Sequence, residues 1–369
     1  MKIYLIAGEP SGDLHASNLI NALKSQNPNI QFKGMGGDRF REATGIEPTV
    51  HIRETNIMGF TEVIKHLPRI RRIMKAIQAD ILDFQPDVVV LIDYPGFNLR
   101  IAKFAHQASI KVVYYISPQV WAWKKGRIKG LKKYVDQMLC ILPFEQEFYR
   151  KEGWEVEYVG HPLIDHIFEY KFNEKILEEY QLTAPIITLL PGSRKQEIAT
   201  ILPIMLQVSK RFPECRFVIA GAPTQSLEFY EQILADNDIK LPIITGKTYD
   251  LLHQASAALV TSGTATLETA LLNVPQIVCY KGGQISYWIA KQLVNIKYIS
   301  LVNLILDRPA VKECIQSEMN TETLTYELHE LLYNSVKRER IFSDYQALRQ
   351  LLQGGASQKA AQEILSLVG

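Results

Sequence analysis

Asp93 closes a run of five aliphatic residues, Val88–Ile92, and is followed by Tyr94-Pro95-Gly96-Phe97-Asn98. A carboxylate at the end of so apolar a strand is partly desolvated, which raises its affinity for a proton and suits it to general-base work. A base that takes the proton from an attacking hydroxyl contributes roughly 10²–10⁴ in rate. The same acid could instead cap the next helix or pair with Arg100. A second turn, Gly8-Glu9-Pro10-Ser11-Gly12-Asp13, follows the N-terminal apolar run. It lacks the Gly-Lys-Ser/Thr ending of a phosphate loop, and its two carboxylates repel phosphate, so it suits hydroxyl groups better. Its plainer reading is a tight turn with Asp13 as a structural acid near a helix start.

Two further turns carry the opposite chemistry. Leu190-Pro191-Gly192-Ser193-Arg194 places a guanidinium fork, suited to a phosphate or diphosphate, behind a small-residue turn with no acid until Glu197. The alternative for Arg194 is an arginine paired with a surface carboxylate. Ser262-Gly263-Thr264-Ala265-Thr266-Leu267-Glu268 combines small residues, which let a ligand approach the backbone, with hydroxyls and helix-start N–H groups that attract an anion. Glu268, acceptor-only, suits a pair of sugar hydroxyls such as a ribose diol. The alternative is an ordinary cap by Ser262 or Thr264 with Glu268 in the first turns.

Other candidate signals point elsewhere or nowhere. Gly34-Met35-Gly36-Gly37 has Arg39 where a dinucleotide fingerprint needs its last glycine. Asp236-Asn237-Asp238 spells a metal-binding Asp-x-Asp but falls between a helix and a strand, where solvated loop acids are expected. Neither HExxH nor GxSxG occurs. His15 and His161 sit at turns and read more readily as structural. Cys140, Cys215, Cys279 and Cys314 lie far apart, without metal-ligand or disulfide spacing, and fit a reducing compartment.

The elements that position these turns alternate short Val/Ile/Leu-rich runs with helix-length amphipathic segments, the pattern of parallel βαβ units. Strands are expected at 3–7, 88–93, 111–116, 137–142 and 156–159, then at 186–190, 216–220, 242–245, 257–260 and 276–280. A charged connector, helical over 172–182, separates the two sets. The chain is therefore expected to be α/β, with Rossmann-like domains at 1–170 and 183–340. A helical segment, 341–369, could pack back on the first domain. The segment 58–80 predicts a helix with Val63, Leu67, Ile70, Met74 and Ile77 on one side and Lys65, Arg69, Arg71, Arg72 and Lys75 around them. Such a basic amphipathic helix can lie on an anionic membrane or bind an acidic lipidic ligand, or simply cover a core. A second basic run, Lys124, Lys125, Arg127, Lys129, Lys132 and Lys133, follows Trp121 and Trp123 and reads as a solvated face.

With 369 residues, 47% hydrophobic and 22% charged, the chain can bury two cores. A net charge of +2 argues against nucleic acid as the main partner. The first apolar run is too short for a secretory signal, and no apolar stretch reaches the roughly 18–20 residues of a membrane span. A soluble protein able to touch a membrane surface is expected.

GEPSGD at 8–13, IMGFTEV at 57–63, PDVVVLIDYPGFN at 86–98, SPQVWAW at 117–123, LPFE at 142–145, VGHP at 159–162, LPGSR at 190–194 and SGTATLE at 262–268 occur in that order. Over nearly the whole chain, this set resembles the lipid-A-disaccharide synthase family. The resemblance implies a GT-B fold, two Rossmann-like domains facing across a cleft, with neither metal nor cofactor. It also implies an inverting transfer of 2,3-diacylglucosamine from UDP to the 6'-hydroxyl of 2,3-diacylglucosamine 1-phosphate, giving the β-1,6 disaccharide. On this resemblance the catalytic aspartate falls on Asp93 and the diphosphate-binding arginine on Arg194, beside Gly192 and Ser193. The nucleotide loop falls on Ser262–Glu268, and a further donor contact on Asn303. By inference from carboxylate chemistry Glu9 and Asp13 are expected to contact the acceptor, with Ser11, Gly12 and Met58 as further acceptor-side candidates. Gly96 stands where some members carry a second acid, so that acid is not essential here. The resemblance further implies a cytoplasmic enzyme peripheral to the inner membrane, and it leaves a homo-oligomer open. Other readings are a different two-Rossmann UDP-sugar enzyme, such as a UDP-GlcNAc 2-epimerase or a transferase to another lipid sugar, and a non-catalytic UDP-sugar binder.

Overall fold

The computed structural model of the chain describes residues 1–54, 67–121, 125–283 and 297–369. It divides into two units, Met1–Asp165 with Leu352–Gly369, and His166–Leu351. The first holds β1 (Lys2–Ala7), β2 (Gln31–Gly36), β3 (Val50–His51), β4 (Val88–Ile92), β5 (Lys111–Tyr115), β6 (Gln137–Cys140) and β7 (Glu157–Tyr158). They form one parallel sheet in the order β3-β2-β1-β4-β5-β6-β7. The second holds β8 (Ile186–Leu190), β9 (Arg216–Gly221), β10 (Ile243–Thr245), β11 (Ala255–Thr261), β12 (Gln276–Tyr280) and β13 (Lys312–Ile315). These pair in the order β10-β9-β8-β11-β12-β13, again in parallel.

Parallel sheets carry helices on both faces, so their strands must be apolar on both sides. Every residue of β4 and β8 is buried, and Ile3–Ala7 of β1 show no exposed surface. Alternate residues of one strand feed opposite layers: Tyr4 and Ile6 enter one core, Ile3, Leu5 and Ala7 the other. Three strands escape the expected set. β2 contains Gly34, where a side-chain carbon would meet the Leu5 carbonyl oxygen at 1.9 Å, and Gly36, so it lacks an aliphatic run. β3 has two residues, and β13 reads Lys-Glu-Cys-Ile, charged as befits a sheet edge.

The C-terminal region is two helices, Ser335–Leu351 in the second unit and Ala356–Val368 in the first. The break falls at Gly354–Gly355, with Gly355 at φ 75°, and Asp165 caps the restart by accepting from Gly355 N at 2.8 Å and Ala356 N at 3.1 Å. Ala360, Ala361 and Ile364 then join the core beneath helix Pro10–Gln26. The connector is less helical than expected, a single four-residue turn at Ile176–Glu179, and residues 166–182 belong to the second unit.

Candidate active site

The register decides which turns meet. β1 and β4 pair with Ala7 opposite Ile92, so Gly8-Glu9 and Asp93-Tyr94 leave the sheet side by side. The chain runs outward from β1 in one direction and from β4 in the other, which makes this the topological switch point where open α/β sheets bind ligands.

Asp93 and Tyr94 both adopt left-handed backbone, φ 44° and 49°, which costs a side-chain-bearing residue of order 1–3 kcal/mol. The surroundings hold that conformation. Asp93 N–H donates to Tyr115 O at 3.1 Å, while its carbonyl accepts from the Tyr114 hydroxyl at 2.6 Å and from Asn98 Nδ2 at 2.7 Å. Tyr94 lies over Gly8, where any side-chain carbon would come within 2.1 Å of the ring. The Asp93 carboxyl is mostly buried. Burial first, and the negative charge of Glu9 second, push its pKa up to about 6 against a bond from the Tyr94 N–H. Glu9 and Ser11 are exposed at the start of helix Pro10–Gln26.

Asp13 departs from its expected role on the acceptor side. It is 4% exposed, and its carboxylate accepts from Gly37 N at 2.6 Å, Phe40 N at 3.1 Å and Arg39 N at 3.1 Å. These are donors at the start of helix Asp38–Thr44, so Asp13 is a structural cap for a neighbouring element, the plainer of its two readings. Gly12 is buried against Ala7. Met58 lies outside the described residues.

The second unit repeats the arrangement. Leu190 pairs with Val260, bringing the Pro191–Arg194 turn beside Ser262–Gly263 at the β8/β11 switch point. Arg194 is exposed at the N-cap of helix Lys195–Ser209. Gly192 has φ 108°, and the Glu197 carboxylate folds back over it to accept from Ser193 N at 3.3 Å. The turn therefore holds the Glu197 carboxylate as well as the exposed Arg194 guanidinium. Gly263 and Thr264 are exposed at the start of helix Thr264–Leu271, while Ala265 is half-buried. Ser262 Oγ donates to Ile299 O at 3.0 Å. Thr266 is fully buried and donates to Gly263 O at 2.8 Å, so its hydroxyl shapes the loop from within.

Glu268 accepts from the Tyr249 hydroxyl at 2.8 Å; burial raises its pKa, and that hydroxyl and His166 oppose the rise. Tyr249 is wedged edge-on between His166 and Tyr170, centroids 5.7 and 5.1 Å away. Asn303 does not present itself to a donor. It is 1% exposed, its Nδ2 donates to Val311 O and Glu313 Oε1, both at 2.9 Å, and its Oδ1 accepts from Val311 N at 2.9 Å. Its amide is used in fastening helix Leu301–Leu306 to β13.

Several residues of consequence escaped the sequence reading: Tyr114 and Asn98 behind Asp93, Tyr249 and His166 behind Glu268, and a buried acid, Glu145. All but Asn98 make contacts between separate segments, and only Asn98 and Glu145 fell inside a recognised motif. His161 is buried and held down to about 3 by burial and by His15, a neutral structural imidazole. Helix Leu67–Phe84 sinks Ile73, Ile77 and Ile81 into the core and leaves Arg69, Arg71, Arg72 and Lys75 outside. These isoleucines thus face protein, and the basic residues are exposed to a partner. Among the described residues no His/Cys/Asp/Glu group could hold a metal, and no helix is long and apolar enough to cross a membrane.

Two parallel α/β units, each with two strand-to-helix turns side by side at a switch point, make up a two-domain fold of the GT-B class. The fold resembles the UDP-GlcNAc 2-epimerase of Methanocaldococcus jannaschii, solved with UDP-GlcNAc and UDP (TM-score 0.64, 15% identity, 100% of both chains). It also resembles the glycotransferase of kitacinnamycin (TM-score 0.66, 12% identity, 100% of this chain and 99% of that one). The family model for lipid-A-disaccharide synthetase matches residues 3–367. Lipid-A-disaccharide synthases of Coxiella burnetii (39% identical, 99% of this chain and 98% of the relative) and Myxococcus xanthus (37%, 100% and 97%) align throughout. The chain belongs to this family of glycosyltransferases, whose reaction forms the lipid A disaccharide.

Proposed function

We propose that the chain transfers 2,3-diacylglucosamine from UDP to the 6'-hydroxyl of 2,3-diacylglucosamine 1-phosphate, with the first unit binding the acceptor and the second the donor. An α-linked donor giving a β-linked product requires a single displacement. Asp93 takes the acceptor hydroxyl proton, the oxygen forms its bond to the sugar C1, and the C1–O bond to UDP breaks with its electrons going to the diphosphate. Arg194, Ser193 and the N–H groups opening helix Thr264–Leu271 stabilise the departing charge, and Glu268 accepts from the ribose. Glu9 and Ser11 contact the acceptor. No step calls for a metal or cofactor.

The observation that carries this reading is the Asp93 carboxyl, set at the β1/β4 switch point by two left-handed residues and raised to about 6. That value leaves it ionised at neutral pH while keeping it a useful base. Asp93→Asn should abolish acceptor-dependent UDP release and leave UDP binding nearly intact; retained turnover would remove Asp93 from the role.

We place the enzyme in the cytoplasm, peripheral to the inner membrane, with Arg69, Arg71, Arg72 and Lys75 facing anionic headgroups. Since the apolar side of their helix is in the core, the attraction is electrostatic. Binding to anionic vesicles should weaken as salt is raised, and salt-independent binding would rule this docking face out.

A further inference from the structure

Glu145 is a carboxylate the proposed reaction does not use, and it is 1% exposed. Its two oxygens serve different segments. Oε2 accepts from Leu142 N at 3.0 Å, capping helix Pro143–Lys151, and Oε1 accepts from the Trp121 indole N–H at 3.2 Å. Trp121 also meets Phe144 edge-on, centroids 5.0 Å apart. Behind it the Ser117 hydroxyl pairs with the Tyr149 hydroxyl at 2.7 Å, and Val120 is buried. The short segment Ser117–Trp121 is therefore fastened at both ends.

That segment begins beside Asp93. Ile92 pairs with Tyr115, Asp93 N–H donates to Tyr115 O, and Ser117 follows two residues later. On its far side Ile116 N–H donates to Leu139 O of β6, the strand that leads to Glu145. The strap thus crosses the carboxyl edge of the sheet from the Asp93 turn to the start of helix Pro143–Lys151.

The chemistry explains why an acid stands at 145. Two N–H donors arrive from different segments, and a carboxylate offers an acceptor on each oxygen; a glutamine would turn its NH₂ toward one of them. Burying a carboxylate is costly, and the cost shows in a pKa pushed up to about 7. Reaching back to the Leu142 N–H is the ordinary capping-box role of a residue at the third helical position, and Glu or Gln would serve equally for that alone. The additional partner is a tryptophan whose N–H is held inside while its ring remains half-exposed. A ring fixed in this manner is a rigid apolar wall with little entropy left to lose on binding.

We infer that Glu145 is a positioning residue, holding the Ser117–Trp121 strap so that Trp121 forms a wall against the acylated glucosamine acceptor. The inference rests on the reading of Asp93 as the base that meets this acceptor. The test is steady-state kinetics of the full chain with UDP-diacylglucosamine and diacylglucosamine 1-phosphate, alongside thermal unfolding.

Glu145→Gln should raise the acceptor KM by about 10-fold, the loss of one charge-assisted hydrogen bond, with kcat and donor KM within about two-fold of wild type. Trp121→Phe, which keeps a ring but drops the N–H, should raise acceptor KM less than Trp121→Leu, which removes the wall. These two variants decide the matter if Glu145→Gln does not fold. A lowered melting temperature with unchanged acceptor KM in all folded variants would reduce Glu145 to a structural role and overturn the inference, as would equal rises in donor and acceptor KM. Asp93→Asn run in parallel separates the two layers: if it retains turnover, the underlying reading has failed. If it is dead while Trp121→Leu keeps its acceptor KM, only the wall has failed.

Discussion

The Tyr249 hydroxyl donates a 2.8 Å hydrogen bond to Glu268 Oε1, fixing one oxygen of a half-buried carboxylate. If that carboxylate reads the ribose diol, Tyr249→Phe should weaken UDP binding about 5- to 20-fold by calorimetry, the scale of one hydrogen bond to a charged group. With 2'-deoxy-UDP the penalty should largely vanish, because the hydroxyl that profits from the fixed carboxylate is missing. An equal penalty for both nucleotides would show that Glu268 does not contact the 2'-hydroxyl.

Asp13 makes a different kind of prediction. Three backbone N–H groups of residues 37, 39 and 40 converge on its carboxylate. Removing it in Asp13→Ala strands those donors, at a cost of about 2 kcal/mol in denaturant unfolding. The acceptor KM of the folded fraction should not change. A variant of wild-type stability with a raised acceptor KM would restore Asp13 to the binding surface.

With Asp93 as the proposed base, its environment predicts a pH dependence of activity. A base works when deprotonated, so kcat/KM should fall as pH drops through about 6. The Glu9 charge contributes to that position, so Glu9→Gln should move the acid limb downward; an unmoved limb would mean that burial alone sets it.

The same raised value has a consequence for stability. In the unfolded chain Asp93 releases its proton near pH 4, in the folded chain near 6, so the native state loses stability between those values and carries the full penalty above pH 6. Asp93→Asn should therefore stabilise the protein at pH 8, by about 1–3 kcal/mol, with no gain at pH 4. Equal unfolding free energies at pH 8 would contradict the buried, charge-crowded setting of this acid.

What the sequence disclosed and what it withheld follow from how locally each feature is encoded. β1, β4, β8 and β11 announce themselves because a strand buried on both faces must be apolar throughout, and their turns follow at once in the chain. The pairing of Ala7 with Ile92 and of Leu190 with Val260, which sets these turns side by side, belongs to topology and has no local signature. Asp13 and Asn303 look like surface polar residues in sequence, yet each is buried and satisfies backbone groups outside its own helix, those of residues 37–40 and of Val311. Glu197 was visible one turn beyond Arg194, but not its return over Gly192. The basic residues of helix Leu67–Phe84 were legible, whereas the direction of its apolar side required the core to be seen.

The central claim, that Asp93 is the base of the transfer, is met most directly by measuring UDP release from UDP-diacylglucosamine with and without diacylglucosamine 1-phosphate, in wild type and in Asp93→Asn. Wild type should release UDP only when the acceptor is present. The variant should bind UDP with near-normal affinity and release almost none, a loss of at least about 10²-fold. Acceptor-dependent release within a few-fold of wild type in the variant would contradict the account.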